Sequence, residues 1–263
     1  LGFRGARFTR VNNWLTIIMA SVLTVAFYAA LSLFPGTYIS NMFTLRGPTQ
    51  YAAVFLTSWS LSILLIKWRK LKLQQQALRY DVIPPAHDFV LSAATVDQVV
   101  ERVYATVDDP KHFVLFNRIM IALSNLRNLG RVSDVDDILR SQADHEGSIM
   151  ETSYAVLRGF VWAIPVLGFI GTVLGLSDAI GGFGKVLSSE SEIGEIASSL
   201  RGVTSGLATA FETTLVALIA ALGIQMLLIF LKKSEEEFLD ACAEYCLRNV
   251  VGRLRIMPFE KVD

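Results

Sequence analysis

Charge is scarce in this chain, and what there is of it is unevenly spread. Asp, Glu, Lys and Arg make up 18% of the 263 residues, against 52% hydrophobic, whereas a soluble domain carries about a quarter charged residues. The deficit falls in a few long stretches with charge gathered between them, the pattern of membrane spans alternating with wet segments. Lys and Arg balance Asp and Glu at 24 each, so no basic excess points to nucleic acid. Cysteine is almost missing. Cys242 and Cys246 lie one helical turn apart and read as two reduced thiols on one helix face, and His87, His112 and His145 are far from them, which argues against a metal site. No phosphate loop, carboxylate pair or nucleophile–base pair is present, so no enzyme is expected and no cofactor either. Alternating strands with turn pairs are also missing, and an all-α fold is expected.

What remains is four apolar runs. Trp14–Phe34 is uncharged and ends at Pro35-Gly36, and Tyr51–Ile66 follows Gly47-Pro48 and is closed by Lys67. A third uncharged run covers Gly159–Ser177, and a fourth, Val203–Leu231, is interrupted only by Glu212. Each run is of the order of the 20 or so residues that cross a hydrocarbon core. Tyr51 and Trp68 stand where an interfacial aromatic belt belongs. Lys and Arg crowd before the first run (Arg4, Arg7, Arg10), after the second (Lys67, Arg69, Lys70, Lys72, Arg79) and after the fourth (Lys232, Lys233). The loop from Pro35 to Gln50 holds only Arg46. The positive-inside rule then puts both termini and the long middle segment in the cytoplasm.

The reading divides the chain into a membrane hairpin over 1–68 (spans 14–34 and 51–66), a cytoplasmic helical domain over 69–152, a membrane core over 153–233 (spans 155–178 and 203–231) and a cytoplasmic helix over 234–263. In the middle segment Pro84-Pro85 is a break and Asp109-Pro110 a helix start, with Phe113, Phe116, Ile119, Met120 and Leu123 at helical spacing behind it. Val132, Val135, Ile138 and Leu139 form a second stripe. The chain opens on Leu1 without an initiator methionine, which leaves open whether either end is trimmed.

Two segments carry the candidate chemistry. In the third span Pro165, Gly168, Thr172 and Gly175 recur at three- and four-residue steps and so share one nearly bare helix face. Such a strip lets a second membrane helix approach closely. Thr172 is its one hydroxyl, able to offer an oxygen to an ion or to bond its own backbone. In the fourth span Ala210, Thr214, Ala217 and Ala221 make another small-residue face, with Thr213 on the neighbouring face. Glu212, the lone acid of the spans, is a functional candidate because a buried charge is expensive in lipid. It sits about 200° around the helix from Thr214, so it does not share that surface, and pairing with a polar neighbour such as Thr209 or the outer interface is the competing role.

These residues resemble the MotA/TolQ/ExbB proton channel family, whose pattern is a Pro-x-x-Gly-x-x-Gly-Thr-x-x-Gly helix followed by a small-residue Thr-Thr helix. The matching positions are Pro165, Gly168, Gly171, Thr172 and Gly175, then Ala210, Thr213 and Thr214, within Tyr154–Lys233. The resemblance implies an ion-conducting stator subunit of the bacterial inner membrane. A homopentamer around a central pore would enclose two copies of a single-span MotB/TolR/ExbD-like partner that carries a membrane Asp, with Pro165, Gly168, Gly171, Gly175, Ala210 and Ala217 packing on the pore face. Such a 5:2 molecular motor turns proton motive force into rotation, with residues at Thr172 and Thr214 beside the route. Thr172, Thr213 and Thr214 together also resemble sodium-driven members, so H+ or Na+ stays open. Glu212 departs from the apolar residue of many relatives. Two other readings stand beside this one: a non-conducting membrane scaffold for a partner, and a self-sufficient ion transporter using Glu212.

Overall fold

A computed structural model describes residues 8–9, 11–44, 47–80, 82–83, 90–92, 95–107, 109–129, 132–188 and 193–254. The described residues form eight α-helices: α1 (Asn13–Ser32), α2 (Tyr38–Thr44), α3 (Pro48–Ala77), α4 (Val96–Thr106), α5 (Val114–Leu129), α6 (Val132–Ser153), α7 (Ala155–Ser188) and α8 (Ile193–Asn249). Among the described residues there is no strand, only one isolated bridge between Leu91 and Leu254. Four of the described helices, α1, α3, α7 and α8, are long and apolar enough to cross a membrane. Pro84-Pro85 lies outside the described residues.

The helix ends follow from local chemistry. Asn12 opens α1 in extended backbone, its side chain accepting from the Trp14 N–H at 3.1 Å, one of the donors an α-helix start leaves unpaired. Gly36, at φ +80°, takes the left-handed conformation that turns the chain toward α2. Gly47, at φ +86°, does the same before α3, and Pro48 occupies the first helical position, where its missing N–H costs nothing. Past Lys233 no Pro or Gly interrupts α8 before Asn249, and Lys232–Glu236 (3.6 Å) and Lys233–Glu237 (3.7 Å) pair along it. The fourth run and the tail beyond it are therefore one helix of 57 residues, about 85 Å long.

The chain forms two compact units. The first comprises Asn12–Leu65 and Ala155–Ile229, and so contains α1, α2, most of α3, α7 and the first part of α8. Three alanines pack around one isoleucine inside it: Ala53 of α3 and Ala217 and Ala221 of α8 cluster with Ile164 of α7. Its outward side chains are large and apolar, among them Ile18, Val22, Phe169, Val173, Phe211, Leu215 and Leu222, all exposed. That inverts the soluble pattern and suits hydrocarbon as solvent.

The second unit comprises Leu1–Val11, Ile66–Tyr154 and Phe230–Asp263. Val96, Val99 and Val103 form the buried stripe of α4, and Leu115, Phe116, Ile119 and Leu123 that of α5. Val135 and Leu139 of α6 and Cys242 and Cys246 of α8 are buried as well, both cysteines being free thiols. The Asp109-Pro110 signal opens only a 3-10 turn, Pro110–His112, with Asp109 accepting from the Lys111 N–H at 3.1 Å. The helix waits until Val114, because Gln74 of α3 accepts from the Val114 N–H at 3.0 Å and donates to the His112 carbonyl at 2.6 Å. A cap from a distant helix replaces the local one. Arg118, almost fully buried, donates to Glu146 at 2.7 Å and to the Leu239 carbonyl at 3.4 Å, joining α5, α6 and α8.

Lys67 and Glu235 form the most enclosed ion pair among the described residues of this unit. The Lys67 Nζ donates to both carboxylate oxygens at 3.1 Å, with each side chain 1% exposed, and stands 4.1 Å from the centre of the Tyr154 ring. The cation thus meets a carboxylate on one side and an aromatic face on the other, which recovers part of what dehydration costs. Lys67→Met alone should destabilise the protein by about 3–5 kcal/mol, because it strands a buried carboxylate, whereas Lys67→Met with Glu235→Leu should regain most of that. Thermal melts of the purified protein in detergent test both.

Candidate functional site

The candidate residues gather where α7 lies on α8 in the first unit. Side-chain size decides how near the two helices come. A Cβ added to Gly168 would stand 2.6 Å from the Ala217 Cβ and 3.1 Å from the Thr214 Cα. One added to Gly175 would stand 3.2 Å from the Ala210 Cβ, and one added to Gly206 would stand 2.8 Å from the Ala179 Cβ. Gly168, Gly175, Ala210 and Ala217 are thus spent on one continuous helix–helix contact inside the chain, in which glycine is required by lack of space. Pro165 lies within α7 upstream of it and removes one backbone donor without ending the helix.

This closeness brings hydroxyls of one helix onto carbonyls of the other. Thr172 of α7 donates to the Ala210 carbonyl of α8 at 3.0 Å, with the Gly168 carbonyl of its own helix 3.2 Å away. Thr214 of α8 donates to the Gly168 carbonyl of α7 at 2.9 Å. The two hydroxyls also touch each other, Thr172 Oγ1 against Thr214 Oγ1. Both residues are half-buried. The result is a reciprocal exchange, each helix lending a hydroxyl to a carbonyl of its neighbour, in apolar surroundings where an unpaired hydroxyl would be penalised. Chemically it is a cluster of neutral oxygens, able to pass a proton or ligate a hard cation, and it carries no charge of its own.

Thr213 is buried and turns elsewhere. Its hydroxyl donates to the Ala210 carbonyl at 2.7 Å, and it faces Gly171. A Cβ on Gly171 would lie 3.2 Å from the Thr213 Oγ1 and 2.8 Å from the Thr49 Oγ1 of α3. Gly171 is therefore the point where α3, α7 and α8 meet. Glu212 stands apart from both threonine groups: the Tyr38 hydroxyl of α2 donates to its Oε1 at 2.5 Å. Thr209, the neighbour expected for it, donates to the Ser205 carbonyl at 2.8 Å.

Tyr38 and Thr49 were not singled out by the sequence. Each lies just after a positive-φ glycine, Gly36 or Gly47, and the only available signal was a polar side chain directly behind a Pro-Gly or Gly-Pro turn.

The family model described as MotA/TolQ/ExbB proton channel family matches residues 115–243. Through that stretch, just under half of the chain, the sequence is similar to the MotA/TolQ/ExbB proton channel family. The match runs from α5 into α8 and includes every candidate position named above on α7 and α8. No curated protein and no solved structure matches the chain. With four helices apolar enough to span and this family, the chain is a membrane protein.

Glycine at the contact can be tested against glycine in open space on the same helix. Gly168→Ala should lower stability by about 1–3 kcal/mol through overpacking. Gly159→Ala, with nothing within 4 Å of the new Cβ, should be neutral or slightly stabilising. Paired detergent melts read the difference.

Proposed function

We propose that this protein is the ion-conducting subunit of a bacterial inner-membrane motor of the MotA/TolQ/ExbB kind, driven by proton motive force. The observation that carries the reading is the reciprocal Thr172–Thr214 exchange between α7 and α8, inside the stretch that matches the family. Those oxygens are neutral, and the acid nearest in sequence, Glu212, is engaged by Tyr38. A proton or cation passing neutral oxygens in lipid needs a counter-charge close by. In this reading it comes from a second polypeptide: a single-span MotB/TolR/ExbD-like partner with a membrane Asp, two copies within a homopentamer of this chain, both termini cytoplasmic. The exposed apolar faces of α7 and α8 are free to meet lipid or further copies. The half-buried hydroxyl pair takes part in transfer as ions move to and from the partner's carboxylate. Each elementary charge crossing 100 mV delivers about 2.3 kcal/mol, so repeated transfers can bias rotation of the ring around the partner.

The test uses proteoliposomes holding the chain and its single-span partner, with uptake of protons under a potassium diffusion potential read by a pH dye. Thr172→Val and Thr214→Val keep shape and remove the hydroxyl, and each should abolish uptake while the complex still co-purifies. Thr214→Ser should retain part of it. Full uptake in both valine variants would remove the threonines from the route. Uptake by the chain without a partner, abolished by Glu212→Gln, would favour a self-sufficient transporter. Absence of uptake from the intact complex would favour a scaffold.

A further inference from the structure

No Asp or Glu occurs in the chain before Asp81. Within that acid-free stretch Lys67, Arg69, Lys70 and Lys72 crowd onto α3, directly behind its apolar run. They do not share one environment. Lys67 is buried against Glu235 and Lys70 is half-buried, whereas Arg69 and Lys72 are exposed. Because α3 has no acid of its own, neither can make the pair one turn away that Arg140 makes with Asp136 at 2.9 Å or Lys233 with Glu237 at 3.7 Å. Among the described residues Arg69 and Lys72 form no ion pair.

Helical period puts these two cations on the face of α3 that also carries its exposed apolar residues. At about 100° per residue, Leu61, Leu65, Trp68, Arg69 and Lys72 fall within an arc of about 100°. Ile63, Lys67, Leu71 and Gln74 lie on the opposite side, and all four are buried. Leu61, Leu65 and Trp68 are 40%, 46% and 47% exposed. Along the helix axis this face runs alkyl, alkyl, indole, guanidinium, ammonium over about 17 Å. A phospholipid presents the matching order of acyl chain, glycerol region and charged headgroup. An indole favours the interfacial level, and basic residues directly beside a span attract anionic headgroups. A protein partner would have to bring an acid and a long apolar strip together at this point, whereas an anionic lipid carries both in one molecule.

We propose that this face of α3 binds an anionic phospholipid of the surrounding bilayer. Its acyl chains lie along Leu61 and Leu65, its glycerol region beside Trp68, and its phosphate at Arg69 and Lys72. Arg69 offers a planar fork able to take two phosphate oxygens, and Lys72 adds a point charge nearly one turn further on. The residues involved lie outside the stretch 115–243 that matches the family. The inference rests on α3 crossing the membrane and is independent of ion conduction.

The full chain, reconstituted in phosphatidylcholine bilayers, tests it. The bilayers contain either phosphatidylglycerol or phosphatidylcholine brominated on the acyl chains close to the headgroup. In each variant the quenching owed to Trp68 is the difference between that chain and the same chain carrying Trp68→Phe. Phosphatidylglycerol should quench Trp68 in preference to phosphatidylcholine. Arg69→Gln and Lys72→Gln should each lower that preference about fivefold, the factor carried by one basic residue near an anionic surface, and the double variant should abolish it. Arg69→Lys should keep most of it. Arg140→Gln, which removes an exposed charge from α6, should leave it unchanged. Preference kept by the double variant, or lost as far in Arg140→Gln, overturns the site in favour of a diffuse field. Equal quenching by the two lipids in the unaltered chain overturns it as well. Quenching by neither means that a second copy or another protein covers Trp68, which also overturns it. Proton uptake tests conduction separately, so either proposal can fail alone.

Discussion

Everything in the first unit depends on how near α7 comes to α8. At Gly168 the backbone of α7 meets Ala217 and the Thr214 Cα with no room for a Cβ, and the contact continues through Gly175 onto Ala210 and through Ala179 onto Gly206. In lipid, apolar side chains gain little by leaving the solvent for one another, so helix association rests on close packing and on hydrogen bonds that cross the interface. Here one cause serves both. The missing side chain of Gly168 exposes its carbonyl, which accepts from Thr214 at 2.9 Å, while Thr172 reaches the Ala210 carbonyl at 3.0 Å. A larger residue at Gly168 would separate the helices and break both bonds together. Packing and the oxygen cluster are therefore one feature of the fold.

The same constraint sorts the other polar groups of the spans. Two consecutive threonines leave α8 about 100° apart, so Thr214 joins the exchange with α7 while Thr213 turns to Gly171 and Thr49. Glu212, further around, meets Tyr38 from α2. Each takes a different partner because the helix surface is shared among three neighbours. In the second unit, buried charge is handled by pairing: Lys67 with Glu235 under the Tyr154 ring, and Arg118 with Glu146. No apolar run signals these pairs, since their members are 168 and 28 residues apart in the chain.

Much of the architecture was legible beforehand because its causes are local. The four spans, the all-helical character and the helical spacing of Phe116, Ile119 and Leu123 follow from composition and period, and the structure has helices there. The motif residues from Pro165 to Gly175 and from Ala210 to Thr214 carried the family, which residues 115–243 match. Where the reading fell short, a distant residue had intervened. Asp109-Pro110 makes a 3-10 turn because Gln74 from α3 holds the Val114 N–H. The run ending at Leu231 continues to Asn249 because nothing after Lys233 stops a helix, so the end of the apolar run is not the end of the helix.

By itself the sequence determined which stretches are helical, which are apolar enough to span, and that two of them carry bare, hydroxyl-bearing strips. Those properties depend on residues a few positions apart, and a helix repeats every few residues. Only the tertiary structure decided that the strips of α7 and α8 face each other within the chain, that the Tyr38 hydroxyl meets Glu212, and that Thr49 of α3 lies against Gly171. Those partnerships join residues far apart in the chain, and periodicity along one helix carries no information about which other helix will lie against it.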